Sequence, residues 1–156
     1  MGNAGAGKTT MAKKLLRDTG AARLSLDEIV WADGEARRPF EEEKRLLLSF
    51  IRSHRDWVIE GCYGNLIRVA LPFCTELRFL NPSVDVCTAH CLSRPWHPTK
   101  AATPTEEKAM LEQLVEWIRE YPHRDDDCGL HCHREIFEGF RGPKREYREY
   151  EDTVVR

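Results

Sequence analysis

Residues Gly2, Asn3, Ala4, Gly5, Ala6, Gly7, Lys8 and Thr9 satisfy the pattern G-x-x-x-x-G-K-[ST], a spacing suited to one task, holding phosphate. The glycines let the backbone turn tightly enough to aim several N–H groups at one anion. Lys8 adds a point charge for β- and γ-phosphates, and the Thr9 hydroxyl is a ligand for Mg²⁺. Thr10 follows in the first turn of a helix whose positive end faces the same phosphates. ATP with Mg²⁺ is the expected ligand.

Other residues have types suited to phosphoryl transfer. Asp27 ends a short apolar run; it reads as a base for an acceptor hydroxyl, or as an N-cap for a short helix over residues 28–30. Glu60 closes Trp57-Val58-Ile59, where it either holds Mg²⁺ through water or is a surface acid. Gly61 and Gly64 bracket Cys62 and Tyr63, which predicts close backbone approach to a substrate or an ordinary tight turn. The transferring phosphoryl group needs cations. Arg94 ends a helix directly before a long loop, Lys100 lies in that loop, and Arg68 follows the glycine-rich turn. Arg94 is the best placed to close over the phosphoryl group.

Cys87, His90 and Cys91 form one Cys/His group, and Cys128, His131, Cys132 and His133 another. Neither has the paired spacing of a closed tetrahedral zinc site. Free thiols, with Cys87 and Cys91 packed as small hydrophobes, are expected.

The elements that must position these groups alternate. Helix spacing covers Lys8 to Arg17, with Gly20 as a stop, and a strand covers Ala22 to Leu26. Pro39 opens a helix over 40–54 that should bury Phe40, Leu47, Leu48 and Ile51. Strands follow at 57–59 and 77–80, and a helix runs from after Asn81-Pro82-Ser83 to about Arg94. Thr103-Pro104-Thr105-Glu106 has the capping pattern of a helix start. That helix carries Leu111, Leu114, Val115 and Ile118 and runs to Tyr121; another covers 130–140, and the tail from Lys144 has room for a final strand. Alternating strands and helices predict an α/β fold with a parallel sheet covered on both faces. In such sheets ligands bind beyond the carboxyl ends of the strands, which gathers the loop, Asp27, Glu60-Gly61 and Asn81 on one edge.

At 156 residues, 41% hydrophobic and 32% charged, the chain reads as a single soluble domain over 1–156. A net charge of −2 gives no global reason to bind nucleic acid or anionic membrane. No apolar run approaches the roughly 20 residues of a membrane span. Six cysteines beside a phosphate loop predict a reducing cytoplasmic location.

Taken together, these residues resemble the nucleoside-monophosphate and shikimate kinase superfamily of P-loop proteins. They are most similar there to the small bacterial proteins called topology modulation proteins or AAA-type ATPases. The resemblance rests on Gly2 to Thr10, Leu26-Asp27-Glu28, the stretch Trp57 to Gly64 and Leu77 to Leu80, and continues through Cys91 to Trp96 and Gly142 to Arg145. It implies a three-layer P-loop NTPase fold, lacking its first, central strand, because only Met1 precedes the loop. A short Val/Ile/Leu-rich stretch is expected upstream of it. The chain departs from the subgroups at their substrate motifs: Ser25-Leu26-Asp27 replaces an Asp-x-Asp, and Glu60-Gly61-Cys62 replaces a Gly-Gly-Gly or Asp-Gly-x-Pro-Arg.

The expected function is a kinase-like phosphotransferase using Mg²⁺–ATP on an unidentified small-molecule or nucleotide acceptor. Lys8, Asp27 and Arg94 are its catalytic residues, and Gly2 to Thr10 bind nucleotide. Thr9 and Glu60 hold the metal, Asp27, Gly61, Tyr63 and Arg68 meet the acceptor, and a lid loop spans 94–104. Two alternatives stand beside it. One is an ATPase or a nucleotide-switched regulatory protein whose partner reads the ordered lid. The other is a DNA-associated regulator with a local patch at Lys144, Arg145 and Arg148, disfavoured because no basic stripe runs through the chain.

Overall fold

The computed structural model describes residues 1–32, 36–93 and 103–149. From Gly7, held at φ 91°, the chain enters α1 (Lys8–Thr19). That helix ends on Gly20 in the left-handed conformation, whose N–H donates to Leu16 O. β1 (Ala22–Ser25) leads directly into the short helix α2 (Leu26–Val30). The strand therefore stops one residue before Leu26, and Asp27 lies in the first turn of α2 rather than at a strand end or in the N-cap position, which Ser25 holds. A small antiparallel hairpin follows, β2 (Trp31–Ala32) with β3 (Ala36–Arg37).

Three glutamates open α3 (Phe40–Ser53), where they favour the positive end of the helix. Its inward row is Glu43, Leu47 and Ile51, spaced by four. That rotation leaves Phe40 at 40% exposure and Leu48 half-buried, against expectation. Glu43 takes the inward place because Arg37 Nε donates to its Oε1 at 2.9 Å, so the buried carboxylate is paired.

β4 (Trp57–Glu60) lies parallel to β1 in the register Ala22–Trp57 to Ser25–Glu60. The helix α4 (Gly64–Ala70) and a 3₁₀ turn over Leu71–Phe73 lead to β5 (Leu77–Leu80). Next come α5 (Val84–Ser93), α6 (Pro104–Arg119) and α7 (Leu130–Gly139). The Thr103–Glu106 capping box is formed from both sides, Thr103 Oγ1 accepting Glu106 N–H and Glu106 Oε2 accepting Thr103 N–H. The chain then reaches β6 (Lys144–Tyr147), parallel to β5.

The architecture is α/β. The expected continuous parallel sheet is present as two separate parallel pairs, β1–β4 and β5–β6. Gly2 makes an isolated parallel bridge to Leu80 of β5. Leu24, Leu26, Leu47, Leu66 and Phe79 anchor the larger core. Ala6, Met11, Leu80, Cys87 and Ile118 anchor a second one under the glycine-rich loop over residues 2–7. Among the described residues no helix is long and apolar enough to cross a membrane.

Candidate functional site

The loop over residues 2–7 is shaped by its glycines. Gly2, Gly5 and Gly7 all have positive φ. A side chain on Gly5 would collide with the Cys87 carbonyl at the head of α5, so only glycine lets the loop lie this close to the helix. Asn3 fastens the loop internally: its Nδ2 donates to Ile118 O at 3.0 Å and its Oδ1 accepts Ala4 N–H at 2.8 Å. His90 Nδ1 lies 3.1 Å from Gly5 O. Lys8 folds back across the loop, Nζ donating to Asn3 O at 2.8 Å, which holds its ammonium at the mouth of the backbone cradle.

The packing of α1 on β4 brings Thr9 and Glu60 together. Glu60 ends β4, its side chain is buried, and its Oε1 accepts the Thr9 hydroxyl at 3.1 Å. Two hard oxygen donors converge beside the loop, which suits Mg²⁺, a cation that takes few protein ligands and completes its shell with water and phosphate. Arg23, on β1, also reaches this carboxylate, NH2 to Oε1 at 2.6 Å, and reaches Glu28 at 3.4 Å. Its Nε is buried without a hydrogen-bond partner among the described residues. A metal ion on Glu60 would thus share the carboxylate with a guanidinium that the sequence reading did not single out.

Just beyond the same strand ends, Tyr63 donates its hydroxyl to Asp27 Oδ1 at 2.6 Å and accepts Trp31 Nε1–H at 2.9 Å. Burial and the Asp27 carboxylate push the Tyr63 phenol far above its ordinary value, so it stays protonated as the donor. Arg37 stands 5.6 Å from the Tyr63 ring centroid. Asp27 itself is exposed.

A buried network braces the turn that carries Tyr63. His133 is fully buried, with Nε2 2.7 Å from Cys62 O and Nδ1 2.7 Å from the Tyr121 hydroxyl. A carbonyl only accepts, so Nε2 carries the hydrogen and Nδ1 accepts from Tyr121. Burial lowers the His133 pKa to about 4, which keeps the ring neutral. His133 and Tyr121 escaped the sequence reading because no spacing pattern announces a contact with Cys62, 71 residues away.

The space beside Gly61 is filled by the Leu26 side chain, and that beside Gly64 by Asp127 O and Cys132 Sγ. At both positions the protein's own packing leaves no room for a side chain. Arg68 pairs with Glu135 at 3.0 Å. Arg94, Lys100 and the lid loop up to residue 102 lie outside the described residues; Thr103 and Pro104 open α6. Asn81 donates to Glu146 at 2.9 Å. Of the basic patch, Lys144 Nζ donates to the carbonyls of Phe137, Glu138 and Phe140, and Arg148 pairs with Glu146. Cys87 and Cys91 pack in the second core, and both His133 ring nitrogens are engaged. Among the described residues no group of three His, Cys, Asp or Glu side chains is arranged to hold a metal ion.

No family model matches the chain, and no curated protein is significantly similar to it. Among solved structures it is similar to the unliganded crystal structure of a sugar kinase from Janibacter sp. HTCC2649. The two share 16% identity at a TM-score of 0.48, over 79% of this chain and 94% of that one.

Proposed function

We propose that this chain is a kinase-like phosphotransferase that moves the γ-phosphoryl group of ATP to a hydroxyl of a small molecule. The observation that carries this reading is the meeting of Thr9, beside Lys8 in the glycine loop, with the buried Glu60 at the end of β4. The loop amides and Lys8 bind the β- and γ-phosphates. Thr9 Oγ1 and, through water, Glu60 are the groups that would hold Mg²⁺, which when bound neutralises phosphate charge.

Asp27 is the base of the proposed reaction. Its Oδ1 is fixed by Tyr63, which leaves Oδ2 for the acceptor's proton. The acceptor oxygen forms a bond to the γ-phosphorus as the bond from that phosphorus to the bridging oxygen breaks. ADP departs with the electron pair, and the proton passes to Asp27. Arg23 keeps positive charge at this edge, and Arg94 remains the cation assigned from sequence to the transferring group.

The test is a screen of hydroxyl-bearing metabolites and nucleosides with ATP and Mg²⁺, scoring ADP release above the acceptor-free rate. Stimulation by one class, with phosphorylated product by mass, supports the reading. Hydrolysis that no acceptor changes assigns the site to an ATPase or a nucleotide-switched protein instead.

A further inference from the structure

Two thiols stand beside the turn that carries Tyr63. Cys62 follows β4 closely and is half-buried; Cys128, in the segment between α6 and α7, is buried in the larger core. The Cys128 thiol donates a hydrogen bond to the Cys62 sulfur. Bonds that involve neither thiol hold the two segments side by side. Gly64 N–H donates to Asp127 O at 2.8 Å, and Asn65 N–H donates to Asp127 Oδ2 at 3.0 Å. His133 of α7 holds the Cys62 carbonyl at 2.7 Å. A Cβ on Gly64 would collide with Asp127 O, so glycine is what lets the turn approach this closely.

The two thiols are chemically unequal. A thiolate, not a thiol, is the reacting nucleophile. The hydrogen bond from Cys128 holds Cys62 below the usual thiol range, and Lys8 adds to this against the desolvation of burial. Cys128, as the donor of that bond and by its burial, is pushed far above the range. Burial also raises Cys74 and Cys132, and lifts Cys87 to about 11. Cys62 is therefore the thiol set up to react first, with Cys128 in contact to resolve the product. Asp127 Oδ1 lies 3.9 Å from Cys128 Sγ and can take its proton. An activated, partly exposed cysteine beside a resolving one is the arrangement of a redox-sensing thiol pair.

We infer that Cys62 and Cys128 form a redox modification site, which a hydroperoxide converts to a disulfide and a dithiol reductant restores. The Cys62 thiolate attacks the hydroperoxide; the S–O bond forms, the O–O bond breaks, and the alcohol or water leaves with a solvent proton. Cys62 is then a sulfenic acid. Cys128 passes its proton to Asp127 and attacks the Cys62 sulfur. The S–S bond forms as the S–O bond breaks, and hydroxide departs as water with that proton. The two sulfurs together lose two electrons to the peroxide. A disulfide draws them to about 2.05 Å, closer than a hydrogen bond does, and clamps the Tyr63 turn to the segment ahead of α7. Because Tyr63 fixes Asp27 Oδ1, the clamp acts on the turn that orients the proposed base. That consequence rests on the proposed function; the redox pair itself does not.

The test treats the reduced full chain with hydrogen peroxide, blocks remaining thiols with N-ethylmaleimide at intervals, and reads unreduced peptides by mass spectrometry. Amide hydrogen exchange at Gly64 and Asn65 is compared between the two forms. No readout uses ATP or an acceptor, so a failed acceptor screen leaves the result intact. The expected product is a Cys62–Cys128 disulfide, formed about tenfold or more faster than any change at Cys74, Cys87 or Cys132. Exchange at both amides should slow about fivefold or more in the oxidised form, and dithiothreitol should restore both readings. First oxidation at another cysteine, a bond from Cys62 to Cys132, or no intramolecular disulfide overturns the inference. Unchanged exchange in the oxidised protein overturns the clamp. In Cys128→Ser, Cys62 should stop at the sulfenic acid and be trapped by dimedone; no adduct in a folded variant overturns the order of the two steps. If that variant does not fold, the product and rates in the parent chain decide alone.

Discussion

Tyr63 and Asp27 are tied by a hydroxyl–carboxylate bond of 2.6 Å, which locks the turn after β4 to the first turn of α2. The bond crosses between the two strands whose carboxyl ends define the site. Because the Tyr63 oxygen also accepts Trp31 Nε1–H, one phenol orients three elements: the turn, α2 and the hairpin strand β2.

Tyr63→Phe removes that oxygen and keeps the ring. Asp27 is exposed, so water replaces part of the lost bond, and the stability cost is about 1 kcal/mol, a few degrees in melting midpoint. The larger effect is expected in turnover, because Asp27 then samples several rotamers. With the acceptor found by the screen, kcat should fall at least tenfold while the ATP dissociation constant stays within twofold. Wild-type turnover in this variant would show that Tyr63 is a packing residue only.

Asp27→Asn keeps size and the capacity to accept from Tyr63, and removes the base. ATP should bind as before, measured by calorimetry, and phosphoryl transfer should drop by a hundredfold or more, in the range general-base catalysis supplies. Transfer at the parent rate would reduce Asp27 to a helix-start acid beside Glu28.

Lys8→Ala tests the loop. Lys8 Nζ bonds to Asn3 O across the loop, so its loss leaves the glycine turns and the Asn3 anchors in place. A charge-assisted bond to phosphate contributes a few kcal/mol. ATP affinity should weaken at least tenfold with the far-ultraviolet circular dichroism unchanged. Equal affinity in a folded variant would remove the loop from nucleotide binding.

These expectations were legible to different depths. The Gly20 stop and the Thr103–Glu106 box are local devices, set by residues within a few positions of one another, and the structure forms both as read. Phe40 was misread because helical spacing alone gives a stripe without saying which polar residue will find a buried partner. Glu43 finds Arg37, six residues back across a turn, and rotates α3 with it. The helix α4 begins at Gly64, a residue that argues for a turn, and is stabilised instead by burying Leu66, Ile67 and Ala70. Strand β6 reads Lys-Arg-Glu-Tyr, without alternation, and is held by the backbone ladder to β5. Thr9–Glu60 could be anticipated from strand ends. Arg23–Glu60 and Tyr121–His133–Cys62 could not, since each joins side chains through tertiary packing alone.

His133 offers a pH test of the brace behind the site. Its folded pKa is about 4 against an ordinary 6.5. Above pH 6.5 the ring is neutral in both the folded and the unfolded chain, and its contribution to stability is flat. As pH falls from 6.5 toward 4 the unfolded chain takes up the proton and the folded chain does not. Stability is therefore lost on acidification, by up to about 3 kcal/mol from this group. The Met1 amine, lowered from 8.0 to about 5, adds a loss in the same direction that begins nearer pH 8, so the two must be separated by substitution. His133→Gln places a donor toward Cys62 O and an acceptor toward Tyr121, without a titrating ring. Urea denaturation between pH 8 and 4 should show the variant somewhat less stable at pH 7, with a shallower loss below pH 6.5, so that the two curves converge on the acid side. The slope above pH 6.5, to which Met1 contributes and His133 does not, should be the same in both proteins. Parallel curves down to pH 4 would mean that the His133 ring titrates as it does in the unfolded chain, and that the network joining Tyr121 to Cys62 does not hold it neutral.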